Sequence, residues 1–406
     1  MISRTESCRV CESGDLDGVL DMGELPAANG FVDAPDGSEP TFPLKLVRCS
    51  SCSHVQLQHT VSRKLLFSDY MYFATDSGSI SEHFKSYSEM LEQRYLADGD
   101  FVVDVGSNDG GLLASLPEDV DRVGIEPAEN VAEVARERGV PTVTEFFDVE
   151  SALQIREEYA PAAVITANNV LAHIDDLHEV LRAVDVLLAA DGVFVVEVPY
   201  LVDLLAETQV STIYHEHLSY FSVASLRTLV DQHGMMITDI ERLDRHGGSI
   251  RVHVQRTEAA NRTTYVDDLL NLERVLGVST PETLSSFAER AQRKRDQIHD
   301  LISERATNHS IVGYGASAKG NVLLSYCGLD SDDIQYVVDA MPAKQGTYTP
   351  GTNIPVRPPE TFREDSPDYA VLLAWNYRDL IYEKESDFRA GGGRFIVPTP
   401  NLDIRN

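Results

Sequence analysis

The sequence predicts an α/β protein in three parts: an N-terminal metal-binding module, a central doubly wound parallel sheet, and a second α/β unit at the C-terminus. Three observations predict it. In residues 101–116, FVVDVGSNDGGLLASL, a short apolar run closes on Asp104, breaks into a turn through Gly106, Asn108, Asp109, Gly110 and Gly111, and restarts at helical spacing. A strand, a tight turn and a helix start in that order open a doubly wound sheet. A second apolar run breaks into glycines the same way at SIVGYGASAKGNVLLSYCG, and two Cys-x-x-Cys pairs, Cys8 with Cys11 and Cys49 with Cys52, precede both.

The first glycine turn is expected to hold a ligand. Glycines let backbone amides approach closely, and a helix start favours a negative group such as a carboxylate. After VDRVGIE, a second strand, Glu126 falls near the ~20-residue offset at which an acid accepts ribose hydroxyls in such folds. GSNDGG lacks the G-x-G-x-x-G spacing of a dinucleotide turn, and Asp109 would repel a phosphate there. An acid-rich turn suits a ligand carrying an amino group and a sulfonium, and this stretch resembles the first motif of class I S-adenosylmethionine methyltransferases.

At 406 residues the chain has room for about three domains, and the composition shifts divide it at 1–65, 66–258, 259–305 and 306–406. No apolar run approaches the ~20 residues of a membrane span, and MISRTESCRV lacks the apolar centre of a signal peptide. A soluble, cytoplasmic protein is expected. Four of the five cysteines sit in two close pairs, which suits a metal site in a reducing compartment better than disulfides. The formal charge of −31, from 65 acids against 34 bases, is spread along the chain. Such a surface repels nucleic acid and anionic membranes, and it reads as adaptation to a salty, halophilic cytoplasm. The oligomeric state is left open, with a monomer as the expectation.

In chain order, each Cys-x-x-Cys turn can present two thiolates to one tetrahedral zinc, with PLKLVRC as a strand returning to the metal. Four thiolates leave no open position, so the zinc is structural. DYMYFATDS follows; by composition alone Tyr70 and Tyr72 suit a core better than catalysis. A helix is expected from residue 80 to about 96. VAEVARERG is helical with a glycine stop, and VPTVTEFFD reads as a third strand. AAVITANNVLAHIDDL reads as a fourth strand running into a loop and helix, with Asn168, Asn169 and His173 at or beyond its carboxyl end. Ligands collect there in open α/β sheets, although a lone histidine is equally often structural. GVFVVEVPY is the fifth strand and brings Glu197 and Tyr200 to the same rim.

IYHEHLSYF is the densest stretch in chemistry. Two histidines flanking a glutamate between tyrosines suit a metal site, an acid/base cluster or a polar strand edge. On a strand His215 and His217 share a face opposite Glu216, which makes a zinc-protease reading weak. An acid/base role is better supported, because histidine is poised near neutral pH and a carboxylate can orient it. DRHGGSIRVHV closes the unit with a Gly-Gly turn and a last strand. Residues 259–305 read as a helical connector, whose basic patch RAQRKR is too short to argue for nucleic acid. In the C-terminal unit, Gly313, Gly315 and Gly320 with Lys319 form a candidate phosphate cradle, while a ligand-free Rossmann-like lid fits equally well. Asp339, Trp375 and Asn376 fall at the ends of its next strands.

Seven segments in order, the two cysteine pairs, YMYFATDS, DVGSNDG, GIEP, ANNVLAHIDD, YHEHLSYFS and GYGASAKGN, resemble the zinc-containing sugar C-methyltransferases. These S-adenosylmethionine enzymes methylate a nucleotide-linked ketodeoxysugar at the carbon next to its carbonyl. The resemblance spans almost the whole chain and implies a zinc module, a class I methyltransferase domain and a C-terminal Rossmann-like domain. It implies Cys8, Cys11, Cys49 and Cys52 as structural zinc ligands. It places the cofactor at Asp104, Gly106, Ser107, Asn108, Asp109, Gly110, Glu126, Pro127 and Asn168. It makes His217 the general base, with Tyr214, Glu216 and His173 as polar partners around the sugar and Tyr72, rather than Tyr70, at the substrate. Lys319, Ser317 and Asn169 are the further candidates for substrate binding. ATDS stands where the family has a run of small residues with serine, which leaves that contact open. The rival readings are an O- or N-methyltransferase of another small metabolite and a non-catalytic zinc-containing scaffold.

Overall fold

The computed structural model describes residues 2–35, 39–67 and 78–406. The strands Leu16–Pro26, Thr41–Cys49 and Val55–Leu57 form an antiparallel meander. Its inward residues Leu44, Leu46, Val55 and Leu57 are buried, as the alternation in PLKLVRC requires. The middle strand ends on Cys49, which carries the second cysteine pair back toward the first. A fourth strand, Ser219–Tyr220, comes from far along the chain and pairs antiparallel with Val55–Leu57. The segment holding the two histidines is thereby hydrogen-bonded into the N-terminal sheet.

The central sheet has seven strands in the order Met235–Leu243, Ser249–Arg256, Leu188–Pro199, Ala162–Asn168, Phe101–Val105, Asp121–Ile125 and Thr142–Val143. Only Ser249–Arg256 runs against the rest. Val102, Val103, Val164 and Ile165 are fully buried, as expected of parallel strands covered on both faces. The first strand lies between the second and the fourth, so the crevice for a ligand opens at its carboxyl end. Two segments depart from the full strands that their alternation suggests. VPTVTEFFD contributes only Thr142–Val143 to the sheet, because this is its half-buried edge and Phe146 is exposed. Residues 213–218 form turns rather than a strand, and only Ser219–Tyr220 is extended.

Residues 259–305 are helical as expected, in Thr264–Leu276 and Pro281–Ala306. They do more than connect. Val266 and Leu269 enter the central core, Leu284 and Phe287 pack into the core of the N-terminal sheet, and Ile298 and Ile302 enter the C-terminal core. The C-terminal sheet orders Val356–Arg357, Val337–Val338, Ile311–Tyr314, Tyr369–Leu372, Arg394–Val397 and an antiparallel Asp403–Arg405. YAVLLAWNY leaves the sheet after Leu372, earlier than the sequence suggests, because Trp375–Tyr377 forms a single helical turn. The Trp375 indole donates to Ser211 Oγ at 3.1 Å and so ties this turn to the central unit. No helix among the described residues is long and apolar enough to cross a membrane.

Candidate active site

A cavity of about 810 Å³ opens where the carboxyl ends of the central strands face the glycine turn of the C-terminal unit. Its first wall is built from the DVGSNDG turn. Gly106 and Asn108 have positive φ, 67° and 49°. A Cβ on Gly106 would lie 2.7 Å from Val170 Cγ2, so the turn can pass that close only as glycine. Glu126 stands at the end of the second strand, where its oxygens accept the Asn108 amide at 3.1 Å and the Ala128 amide at 2.9 Å. Burial still pushes its carboxyl above the ordinary range. Asp104 accepts from Thr166 Oγ1 at 2.6 Å and Asn168 Nδ2 at 3.3 Å, yet burial pushes it up to about 7. Glu197 differs. Burial opposes its ionisation too, but His83 at 3.0 Å and Arg251 at 2.7 Å hold it below the usual range.

The second wall carries the histidines. His217 Nδ1 lies 2.8 Å from the Thr212 carbonyl, which can only accept, so Nδ1 holds the proton and Nε2 keeps a lone pair. The ring packs on Tyr214 with centroids 4.0 Å apart and on His173 at 5.0 Å. Burial first, then the charge of His173, holds His217 well below the ordinary imidazole range, and burial lowers His173 to about 4. Glu216 also faces the cavity, accepts from Asn29 Nδ2 at 2.7 Å and is pushed up to about 7 by burial. His215 turns away, with Nε2 3.1 Å from the Phe42 carbonyl. A turn, rather than the polar strand edge that was one of the open alternatives, therefore brings neighbouring Glu216 and His217 to one cavity.

The third wall is basic. Lys319 Nζ sits 5.5 Å over the Trp375 ring, and burial lowers its ammonium to about 8. Arg245 and His246, from the hairpin before Ser249–Arg256, face the same space, and the charges of Lys319 and Arg245 add to burial in lowering His246 to about 3. Ser317 lines the cavity, but its hydroxyl is engaged as the cap of the helix Ala318–Cys327, accepting from Gly320 at 3.1 Å.

Apart from the cavity, the Sγ atoms of Cys8, Cys11, Cys49 and Cys52 lie within 4.8 Å of one another. The pairs Cys8–Cys52 and Cys11–Cys49 are each 3.5 Å apart. Zn–S bonds of ~2.3 Å in a tetrahedron put sulfurs about 3.8 Å apart, so the cluster fits zinc. Each cysteine pair is followed by a residue of left-handed conformation, Glu12 at φ 60° and Ser53 at φ 64°, giving two matching turns around one centre.

Three family models match in succession: "Putative zinc binding domain" over 8–67, "Methyltransferase domain" over 81–239 and "C-methyltransferase C-terminal domain" over 244–400. The C-methyltransferase NovU of Streptomyces niveus is 41% identical over 401 residues, which is 97% of this chain and 96% of that protein. The chain belongs to the S-adenosylmethionine-dependent C-methyltransferase family. Among solved structures, magnesium protoporphyrin IX methyltransferase from Synechocystis PCC 6803 is 14% identical, covering 44% of this C-methyltransferase and 83% of that chain at a TM-score of 0.35. An S-adenosylmethionine-dependent methyltransferase from Clostridium acetobutylicum is 15% identical over 45% of this chain and 93% of that one, also at 0.35.

The C-methyltransferase cavity brings together Asp104, Gly106, Ser107, Asn108, Glu126, Pro127, Asn168, Asn169, His173, Tyr214, Glu216, His217, Ser317 and Lys319. Asp109 and Gly110 are not on its wall. The Asp109 carboxylate is fully buried in an ion pair with Arg138 at 3.0 Å, so it braces the turn from behind. Tyr72 and Tyr70 lie outside the described residues. Asn29, His83, Arg245 and His246 also face the cavity and escaped sequence reasoning. The Arg-His pair ahead of Gly247 and Gly248 at a hairpin tip was a usable signal for Arg245 and His246. Asn29 gave none, since it meets Glu216 only through tertiary packing.

Proposed function

We propose that this C-methyltransferase acts on a nucleotide-linked ketodeoxysugar and methylates the carbon next to its carbonyl, with His217 as general base. The observation that carries the reading is the fixed tautomer of His217, which leaves Nε2 its lone pair on a residue lining the cavity that the acid-rich turn and the basic wall share. A carbon beside a ketone loses its proton only if charge can develop on the oxygen. His217 Nε2 takes the proton. Tyr214, His173 and a protonated Glu216 are the available donors to the enolate oxygen, and a carboxyl at about 7 is partly neutral under working conditions. The enolate carbon is then the nucleophile for the methyl that a bound sulfonium would supply, the electron pair of the broken S–CH3 bond staying on sulfur, and the proton on His217 leaves to solvent.

S-adenosylmethionine, when bound, supplies the electrophilic methyl. Gly106, Ser107, Asn108, Glu126, Pro127 and Asn168 would hold it, with Asp109 and Gly110 shaping the turn. The fit rests on Asp104, a buried carboxyl whose hydrogen-bond donors Thr166 and Asn168 are neutral and which a cationic ligand would favour in its ionised form. The basic wall supports the nucleotide part: on a chain of net charge −31, Lys319 and Arg245 gather where a diphosphate could lie, with the neutral imidazole of His246 beside them. Asn169 and Ser317 line the approach. The four cysteines would hold a structural zinc, the chain would divide at 1–65, 66–258, 259–305 and 306–406, and its surface would be salt-adapted.

The test has two readouts. Calorimetry in molar KCl should show S-adenosylmethionine binding that Glu126→Ala weakens by about tenfold or more, the ~1.4 kcal/mol expected for losing hydrogen bonds to a carboxylate. A nucleoside-diphosphate-linked ketodeoxyhexose in D2O should exchange the proton beside its carbonyl with wild type and not with His217→Gln. Methyl transfer without such exchange competence would point to an oxygen or nitrogen acceptor, and absence of cofactor binding by the folded, zinc-loaded protein would leave the scaffold reading.

A further inference from the structure

We infer that Arg9, the residue inside the first cysteine pair, is a positioning residue for the catalytic histidines: its guanidinium braces the His217 and His173 loops against the N-terminal module. All five of its side-chain N–H groups are used. Nε donates to Asp175 Oδ1 at 2.8 Å, Nη1 to the Leu57 and Leu218 carbonyls at 2.7 and 3.5 Å, and Nη2 to Thr5 and Thr60 Oγ1 at 3.0 and 2.8 Å. The side chain is only 2% exposed. Leu218 follows His217 directly, and Asp175 lies two residues beyond His173. The same crossing is stitched by backbone bonds, Leu218 N to the Ala172 carbonyl at 2.7 Å and Leu57 N to the Leu218 carbonyl at 2.9 Å. Thr60 adds a bond to the same Asp175 oxygen at 3.0 Å.

The two imidazoles, 5.0 Å apart, thus hang from neighbouring backbone groups whose separation one planar fork sets. A turn that orders around a metal fixes where that fork starts, because Arg9 lies between Cys8 and Cys11. Only arginine can do this. A lysine offers a point charge with three donors and cannot span Asp175, Leu57 and Leu218 together. No contact of Arg9 reaches the cavity wall itself, so its effect passes through the placement of the rings rather than through substrate.

The experiment uses full-length Arg9→Lys and Asp175→Asn, each checked for zinc content, with 15N spectra of the histidine rings. The proposal rests on the reading of His217 as base, but the spectra do not need substrate. With zinc retained, the His217 and His173 ring nitrogens should move toward the mixed tautomer of a solvated imidazole. Turnover of the nucleoside-diphosphate ketodeoxyhexose should fall about tenfold or more while S-adenosylmethionine affinity stays within about twofold, the signature of lost alignment. Unchanged ring spectra and unchanged kcat at full zinc loading overturn it. If Arg9→Lys does not fold, Asp175→Asn decides alone, since it removes the charge partner from outside the cysteine turn. Moved spectra in a protein whose wild type never exchanges the sugar proton would uphold the brace and sink the proposed function instead.

Discussion

At the scale of single residues, the cavity is notable for carboxyls held against their preference. Glu216 is 3% exposed, it accepts from the Asn29 amide, and among the described residues no cation offsets the burial that lifts it to about 7. A folded-state value raised above the unfolded one makes stability greatest below about 4.5 and loses it as pH rises through about 7. Glu216→Gln keeps the Asn29 contact and removes the charge. It should leave stability unchanged near pH 4.5 and raise it at pH 8, by up to about 3 kcal/mol if the whole shift were realised. Urea melts at the two pH values measure this, and an equal difference at both would refute it. Asp104 makes a matching prediction for the proposed cofactor. A cationic ligand beside it favours the carboxylate, so binding near pH 7 should release protons. Calorimetry in buffers of different ionisation enthalpy should then give different apparent enthalpies, and identical enthalpies would place the cation elsewhere.

At the scale of elements, the glycine turn is the part that tolerates least. Gly106→Ala must hold a φ of 67° and meet Val170. The left-handed conformation costs about 1–2 kcal/mol for an L-residue, and the overlap should shift the turn enough to weaken cofactor binding at least about tenfold. Stability loss without loss of affinity would show that the turn does not line the cofactor. This element was legible because strand, glycines and acid are contiguous and their spacing encodes their geometry. The histidine segment was legible as chemistry but not as structure: alternation in YHEHLSYF imitates a strand, while the Thr212 carbonyl just upstream accepts from His217, and Phe42, distant along the chain, contacts His215. Asn29 and Arg9 were invisible for the same reason, since their partners lie in segments distant along the chain. Removing metal should expose this dependence. Because Ser219–Tyr220 pairs with Val55–Leu57 in the sheet that ends at Cys49, a strong chelator should strip the proposed zinc and speed amide exchange in both strands. Protected amides after zinc loss would show that the sheet stands without the metal.

At the scale of the whole molecule, charge should act with opposite signs on stability and on substrate binding. Acids exceed bases by 31, and the self-repulsion this creates destabilises the compact state at low salt. The ion pair Arg251–Glu197 is buried on both sides and is screened little, whereas exposed pairs such as Arg182–Glu179 contribute little at any salt. Net repulsion should therefore dominate the response, and the thermal midpoint should climb steeply as KCl rises from ~0.1 to ~2 M, while the Debye length falls from about 10 Å toward 2–3 Å. The basic wall of the cavity predicts the reverse for a diphosphate-bearing substrate: the same screening that relieves the surface weakens attraction to Lys319 and Arg245. KM for the nucleotide sugar should rise with KCl over the range in which the melting midpoint rises. Lys319→Ala should flatten the KM response and leave the melting response intact, because it removes one cation from the wall and almost nothing from a surface excess of this size. A melting midpoint indifferent to salt would discard the salt-adapted surface, and a KM indifferent to salt in the wild type would discard the diphosphate.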